Sequence, residues 1–358
     1  MAITFGSSAP SQITKNFEAL IATSLAHYSK TLVDNISSSN AFLYELKKRG
    51  LINLIPGSLY IAEDLMYALA QFDAYDGYDE LSDTPMDGIT QVQFEWRQGS
   101  VPISYSEKER KMNKTRIVDL IKSKIKQAEL GFMEGFNKAL LLGSLSQPTA
   151  GTDLQTPFTS AATGAAFIDP LPRLIAYDPT ASLSVGNINQ STYTWWRNRK
   201  KEATATTYTT FLLEMDNLMN TCNRGGGKGV NLIIMDQTSY ELLNAAYYYK
   251  YRTMAGSNSD YPFENIKFRG ATVVWDEYMP DVFSGTASTA TYGTAYFINS
   301  DYISLKVEED TNFQMTEFAK PPKGDSRLAH ILFMGQTTIN NRRKHGVYGK
   351  IPRTLTAS

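Results

Sequence analysis

Apolar residues recur at three- and four-residue spacing through the middle of the chain and predict one long amphipathic helix. The residues on this stripe are Ile117, Leu120, Ile121, Ile125, Ala128, Phe132, Phe136, Ala139 and Leu140. Asn113 is a candidate N-cap, and Gly143 with Pro148 behind it ends the helix. A helix over residues 113–142 would be about 45 Å long. An ordinary core helix has the same pattern, but a helix of this length is typical of a structural rod.

The chain before this helix, from Pro56 to Tyr105, has no sustained helical period and predicts a long arm. One or two helical turns are expected near residues 65–72. Two extended segments, FEWRQG and VPISYS, lead through a charged turn into the long helix, and the tip, DAYDGYDELSDTPMDG, is dense in turn residues. Upstream, residues 11–33 predict an amphipathic helix, and AFLYELKKRG predicts a short helix that ends at Gly50.

The arm and the start of the long helix carry opposite charge. Residues 56–105 hold nine carboxylates and a single basic residue, Arg97, whereas residues 107–126 are predominantly basic. The candidate contact residues on the acidic arm are Asp73, Asp76, Asp79, Glu80, Asp83 and Asp87. Those on the basic head of the helix are Lys108, Arg110, Lys111, Lys114 and Arg116. The two segments are complementary, within one molecule or between copies. Because such an arm buries too little apolar surface alone to offset its ordering entropy, we expect another surface to order it.

Beyond the long helix, the pattern predicts a connecting region and then a second compact unit. Residues 143–190 are rich in Gly, Pro, Ser, Thr and Ala, with short strands expected at segments such as RLIAY. Helices and strands then alternate from TYTWWRNRK to ATVVWDEYM, which indicates an α/β sheet. Three strand-rich segments follow, TAYFINSDYISLKVEED, TNFQMTEFA and SRLAHILFMGQTTI.

Two short motifs could meet phosphate groups, and in both the local pattern favours another interpretation. RGGGKG, residues 224–229, follows a helix and precedes a strand, whereas a phosphate-binding loop runs from strand to helix. A helix-to-strand turn is therefore favoured. NNRRKHG, residues 340–346, is a basic run, and such a run is more often a solvated or interface-facing surface than a nucleic-acid site.

Composition excludes several classes of function. The 35 basic and 36 acidic residues give a formal charge of −1, so the chain as a whole does not demand a polyanionic partner. One cysteine, Cys222, excludes an intrachain disulfide framework, and the three histidines lack metal-ligand spacing. The sequence contains no GxSxG, HExxH or CxxC motif, and its apolar runs are too short for a bilayer span. We therefore expect a cytosolic chain that is not an enzyme and has no cofactor, no metal and no membrane contact.

Taken in order, these segments resemble the major capsid proteins of tailed double-stranded DNA bacteriophages. The collinear series is the N-terminal amphipathic arm, NAFLYELKKRG, LINLIPGSLYI, the tip at YDGYDELS, VQFEWRQGSVPISYSEKERKMNK, the long helix, TYTWWRN and QTTINNRRKHGVYGKI. The resemblance implies the α+β tailed-phage major capsid fold, with an N-terminal arm, an extended E-loop, a peripheral domain with a long spine helix, and an α/β axial domain. The implied ranges are 1–55 for the arm, 56–105 for the E-loop, 106–175 and 305–335 for the peripheral domain with its spine helix at 113–142, and 176–304 and 336–358 for the axial domain and C-terminal strands.

The resemblance also implies a function, which is self-assembly as hexamers and pentamers into an icosahedral phage head that encloses double-stranded DNA. The implied partners are other copies of the chain, a separate scaffolding protein, a portal, a decoration protein as a further candidate, and non-specifically bound DNA. The expected location is the virion, after assembly in the bacterial host cytoplasm. Some relatives cross-link through an E-loop lysine; residues 56–105 contain no lysine, so no such bond is expected. Three alternatives stay open: an encapsulin-like nanocompartment shell, a different phage structural protein, and an α/β enzyme.

Overall fold

The computed structural model describes residues 41–70, 72, 74, 76–78, 87–112, 117–142, 168–250, 266–279, 282–283, 291–320 and 324–356. The helix expected at residues 11–33 and the candidate N-cap Asn113 lie outside these ranges. The helices within them are α1 (Ala41–Lys48), α2 (Glu107–Met112), α3 (Ile117–Leu142), α4 (Leu171–Leu174), α5 (Tyr208–Cys222) and α6 (Gln237–Lys250). Short 3-10 turns lie at Thr194–Trp196, Ser300–Tyr302 and Arg342–Lys344.

The first of two large sheets joins strands that are distant in the sequence. Its strands are β1 (Ile52–Ile55), β4 (Arg97–Ser106), β13 (Ile303–Glu308), β14 (Gln314–Met315) and β15 (Ser326–Ile339). The long β15 lies at the centre, with β4 antiparallel along one side and β13 and β14 antiparallel along the other. β1 runs parallel to β13. The strands predicted at VPISYS and SRLAHILFMGQTTI are thereby confirmed.

The second large sheet is covered on both faces. Its strand order is β7 (Arg199–Glu202), β16 (Gly346–Ile351), β12 (Thr291–Ile298), β8 (Leu232–Met235), β10 (Ala271–Trp275) and β9 (Ile266–Phe268), and β11 (Val282–Phe283) pairs with β12. Within β8, Leu232 and Ile234 belong to one core, whereas Ile233 and Met235 belong to the core beneath α5 and α6. A strand buried on both faces is a continuous apolar run, here LIIM. The predicted alternation of α5, β8, α6 and β10 is confirmed.

The predicted long helix is confirmed from Ile117 to Leu142, and its 26 residues span about 39 Å. Phe132 and Phe136 lie one turn apart on its buried face. The Phe132 ring meets Phe313 edge to face at 5.1 Å between centroids, and the Phe136 ring meets Phe333 of β15 at 5.3 Å. An aromatic layer therefore joins α3 to the first sheet.

The charged turn expected after Tyr105 is instead a helix, α2. Ser106 and Glu109 form a capping box, in which Ser106 Oγ accepts from the Glu109 N–H at 3.1 Å and Glu109 Oε2 accepts from the Ser106 N–H at 3.2 Å. Glu107 also pairs with Arg327 of β15 at 3.4 Å. The S-x-x-E spacing is visible in the sequence and is the signal that identifies this helix.

Two further local predictions are wrong. The helical turns expected near residues 65–72 are excluded because the chain through Met66 forms strand β2 (Ile61–Met66), with alternating burial, and residues 67–70 have no regular structure. The strand expected at RLIAY is excluded because Leu171–Leu174 form a helical turn, since prolines 170 and 172 suit the start of a helix. The remaining strands are β3 (Ile89–Phe94), β5 (Ser184–Val185) and β6 (Ile188–Asn189).

Candidate assembly surface

Within the acidic arm, β2 and β3 form an antiparallel hairpin with one buried and one exposed face. β2 and β3 pair from Ile61 opposite Phe94 to Met66 opposite Ile89. The buried face carries Ile61, Leu65, Val92 and Phe94. On the opposite face, Met66 and Ile89 are each 70% exposed. Because side chains alternate across a strand, the same hairpin packs with one face and presents the other.

The buried face of the hairpin is fixed by the rest of the same chain. The Glu63 carboxylate accepts from the Thr338 hydroxyl at 3.0 Å and pairs with Lys306 Nζ at 3.1 Å. The Tyr67 ring stacks on Trp195 with centroids 4.9 Å apart. The base of the arm is therefore ordered by other surfaces of its own chain, which are the first large sheet and the Trp195 turn.

Gly186, in the turn between β5 and β6, allows the hairpin to approach this closely. Its φ is +59°, and a Cβ at this position would lie 1.8 Å from Val92 Cγ1. The Gln93 N–H donates to the Gly186 carbonyl at 3.3 Å. Both the left-handed backbone and the contact distance therefore require a glycine.

From the end of the hairpin onward, the arm presents an apolar surface that the described part of the chain leaves uncovered. We call this surface the apolar tip; it consists of Met66, Leu69, Phe72, Tyr78 and Ile89. Phe72 is 92% exposed and Leu69 is 75% exposed. Single exposed apolar residues are ordinary, whereas several within one short segment are typical of a binding surface. Sequence reasoning identified the charge of this segment and missed its apolar component.

The structure describes only part of the predicted charge pair. Asp76 is exposed and its carboxylate accepts from the Gly77 N–H at 2.8 Å. Asp87 is exposed, and its backbone carbonyl accepts from the Tyr67 hydroxyl at 2.6 Å. Lys108 is exposed on α2. The other predicted contact residues lie outside the described residues or have undescribed side chains: Asp73, Asp79, Glu80, Asp83, Arg110, Lys111, Lys114 and Arg116.

The basic run at residues 340–346 is largely buried, so the prediction of a solvated or interface-facing surface is wrong for most of it. Arg342 and His345 have no exposure and Lys344 has 7%, whereas Arg343 is exposed. The Lys344 ammonium donates to the carbonyls of Arg224 and Gly226 at 2.9 and 2.5 Å. These two hydrogen bonds hold the RGGGKG turn in place. The turn connects helix α5 to strand β8, as predicted.

The Arg342 guanidinium is held by oxygens from distant parts of the chain. It donates to the backbone carbonyls of Leu174 and Trp196 at 2.7 and 3.1 Å, and to Asn198 Oδ1 at 3.3 Å. Burial lowers the pKa of Arg342 to about 9, which leaves it cationic at neutral pH. Carbonyl dipoles and the face of Trp196, 5.7 Å from the guanidinium carbon, replace the water that a solvated arginine would have.

His345 makes the stability of the subunit depend on pH. Burial, and then the charge of Arg342, lowers the pKa of His345 to about 3, and its Nδ1 accepts from the Asn299 N–H at 3.3 Å. Between pH 6.5 and 3 the unfolded chain binds a proton that the folded chain does not, so the free energy of unfolding falls as the pH is lowered through this window. This single group contributes a slope of up to about 1.4 kcal/mol per pH unit.

We expect His345→Gln to remove this slope between pH 6.5 and 5, as measured by urea unfolding at several pH values. His330→Gln is the matched control, because His330 is a half-buried histidine on β15. This variant should keep the dependence of the free energy of unfolding on pH. An unchanged slope in His345→Gln would show that other groups cause the acid sensitivity.

Metal-ligating clusters and cavities are the features of the described residues that bear on catalysis. Among these residues, no group of three or more His, Cys, Asp and Glu side chains could hold a metal ion. A shallow cavity of about 210 Å³ lies beside β4 and β15. None of its lining residues has an ionisable side chain; they are Gln98, Gly99, Ser100, Thr311, Leu332, Phe333 and Met334. Within the same part of the chain, no helix is long and apolar enough to cross a membrane.

Comparison with known proteins gives matches in structure and none in sequence. No protein-family model and no curated protein matches the chain. Many solved structures are similar to it, among them the following three. The capsid of cyanophage A-1(L) has a TM-score of 0.59 at 12% identity, covering 84% of this chain and 91% of that one. The SrpI encapsulin of Synechococcus elongatus has a TM-score of 0.53 at 7% identity, covering 87% and 89%. The capsid of an empty GTA particle has a TM-score of 0.52 at 10% identity, covering 85% and 89%.

These matches define the class of fold. The chain has the tailed-phage major capsid fold, which phage capsids share with encapsulins, and the resemblance found in the sequence is confirmed at the level of fold. The mixed helix and sheet architecture, with α3 across the first sheet and α5 and α6 on the second, is the form that this fold takes here.

Proposed function

We propose that this chain is a structural, non-catalytic shell protein that self-assembles as hexamers and pentamers into an icosahedral phage head enclosing double-stranded DNA. The observation that carries the proposal is the capsid fold. The match to the cyanophage capsid covers more than four fifths of this chain. The apolar tip supports it, because a surface of this kind is stabilised when a neighbouring subunit covers it.

In this proposal, residues 56–105 are the E-loop, α3 is the spine of a peripheral domain, and the second sheet belongs to the axial domain. The acidic residues of the E-loop lie against the basic head of a neighbour's spine. Exposed ion pairs contribute about 0.2–1 kcal/mol each, so the charges chiefly set the register of the contact. Burial of the apolar tip supplies most of the affinity, at about 25 cal/mol per Å². Many such contacts add through the symmetry of a closed shell.

The proposed partners follow from the same role. They are further copies of the chain, a separate scaffolding protein, a portal, a decoration protein, and packaged DNA bound through its phosphates without base reading. The proposed location is the virion, after assembly in the bacterial host cytoplasm.

A second candidate is an encapsulin-like nanocompartment shell, which the similarity to the SrpI encapsulin favours. The two roles differ in what the particle contains. An encapsulin-like shell encloses protein cargo, whereas a phage head encloses DNA.

Electron microscopy of the purified full chain, expressed with and without a candidate scaffolding protein, tests the proposal. We expect closed particles with hexameric and pentameric units. Nuclease-protected DNA in particles from infected cells supports the phage head, and co-purifying enzyme cargo supports the nanocompartment. A chain that stays monomeric at high concentration in every condition contradicts both.

We expect Asp76→Lys combined with Asp79→Lys to weaken assembly more than it weakens the fold of the subunit. Reversing two charges turns attraction to the basic head into repulsion, which should lower particle yield and change its dependence on salt. Light scattering during assembly at several salt concentrations measures both effects.

The matched control is Asp310→Lys combined with Glu317→Lys, which makes the same change in net charge at exposed positions outside the arm. Its particle yield should stay near that of the unmodified chain. If the arm variant and this control behave alike, charge complementarity does not set the register.

A further inference from the structure

Two arginines lie side by side where the second sheet meets the buried basic run. The register of β7 and β16 places Arg199 opposite Gly346, and the Arg199 N–H donates to the His345 carbonyl at 2.9 Å. Arg343 belongs to the turn that immediately precedes this pairing, and its side chain is exposed. Arg199 is half-buried behind it.

A third arginine is brought to the same place by the glycine turn. Lys344 donates to the carbonyls of Arg224 and Gly226, and these bonds hold the start of the turn beside the basic run. The Arg224 side chain is exposed. We call Arg199, Arg224 and Arg343 the arginine cluster.

The positive charge of the arginine cluster is not balanced by the part of the chain that the structure describes. None of its three members forms an ion pair there, and the Arg199 Nε has no hydrogen-bond partner. The neighbouring Lys228 already pairs with Asp301, at 3.4 Å. Burial, and then the charge of Arg343, lowers the pKa of Arg199, and Arg224 lowers it further, so Arg199 lies close enough to both to be repelled by them.

We propose that the arginine cluster is a binding site for a phosphate-type anion, either free or as the phosphodiesters of a nucleic acid. Guanidinium groups donate in a planar fork that fits phosphate oxygens, and several of them on one anion give short, charge-assisted hydrogen bonds. A multivalent anion offsets the repulsion that Arg343 and Arg224 exert on Arg199. The exposed Arg224 and Arg343 are open to the ligand, and Arg199 closes the site from behind.

Titration of the full chain with inorganic tripolyphosphate tests the site, with Arg224→Gln combined with Arg343→Gln as the variant. Charge-assisted hydrogen bonds of this strength correspond to about a tenfold change in affinity per side chain, so the double variant should bind about a hundredfold more weakly. Lys126→Gln combined with Lys320→Gln removes the same charge from exposed positions elsewhere and should change the affinity less than threefold. Thermal unfolding without ligand checks that both variants fold.

Duplex DNA in place of tripolyphosphate distinguishes the two sources of phosphate. If nucleic acid occupies the site, the slope of log affinity against log salt should be smaller by about 1 to 2 in the cluster variant than in the unmodified chain. If only the free anion binds, tripolyphosphate affinity depends on the cluster and duplex affinity does not. The duplex measurement rests on the proposed function as a DNA-enclosing shell, whereas the tripolyphosphate measurement is valid for any role of the chain.

Three results would overturn the proposal. The first is that neither anion binds. The second is that the cluster variant and the control lose affinity equally. The third is that phosphate binding is absent and the cluster variant changes only the salt dependence of assembly. The last result would assign the cluster to carboxylates of a second copy. Particle formation is recorded separately by light scattering, so failure of the anion site is distinguished from failure of the shell.

Discussion

Replacing Arg342 with alanine is expected to lower the free energy of unfolding of the subunit by about 3–5 kcal/mol. The change leaves three buried acceptors, the carbonyls of Leu174 and Trp196 and the side-chain oxygen of Asn198, without their donor. Each buried acceptor that loses its partner costs about 1–3 kcal/mol, and the vacated side-chain volume adds a cavity cost.

Urea unfolding of the purified subunit, followed by fluorescence of its tryptophans, measures this change. Arg343→Ala is the matched control, because it removes the neighbouring arginine from an exposed position and should change stability by no more than about 0.5 kcal/mol. Arg342→Met keeps much of the volume and should recover the cavity cost but not the cost of the unsatisfied acceptors. A loss below about 1 kcal/mol in Arg342→Ala would mean that the guanidinium contributes little to the fold.

Replacing Phe72 and Tyr78 together with serine is expected to abolish assembly at concentrations where the unmodified chain forms particles. Burying a large apolar side chain contributes about 1.5–3 kcal/mol, so two per arm contribute about 3–6 kcal/mol. Because about 1.4 kcal/mol is a tenfold change in affinity, each arm should bind its neighbour at least about a hundredfold more weakly. In the proposed shell, the effect is repeated at every arm around a hexamer.

The subunit itself should keep its stability in this variant, since both side chains are almost wholly exposed within their own chain. Sedimentation velocity over a range of concentrations measures assembly, and thermal unfolding measures the fold. Leu213→Ser, at a 63% exposed position on α5, is the control for loss of a surface apolar group. Particles at the normal concentration in the double variant would show that the apolar tip is not an assembly contact.

The predictable parts of the fold are those in which a local sequence pattern is compatible with only one secondary structure and one buried face or pair of faces. The helical period places the stripe of α3 on one face in any context, and a strand that is apolar at every position, such as β8, is buried on both faces. The capping box at Ser106 was available in the sequence and was missed. The order of such elements along the chain was sufficient for the resemblance to the capsid fold.

Pairings across the fold were not predictable. β15 pairs with β4, some 220 residues away, and α3 packs against both. The sequence indicates that the acidic arm needs another surface to order it, but not which one; at its base, Lys306 and Thr338 of the same subunit contact Glu63. A charged or polar side chain does not determine by itself whether its partner is water, a neighbouring copy or its own chain.

By itself, the sequence determined the class of the protein's fold, the position of its long helix and the charge of its arm. The tertiary structure alone decided that Arg342 and His345 are buried and that the apolar tip is exposed. The physical reason is that burial depends on which oxygens and apolar groups approach from elsewhere in the chain. Carbonyls at residues 174 and 196 can stabilise a buried guanidinium only after the fold has brought them within hydrogen-bond distance.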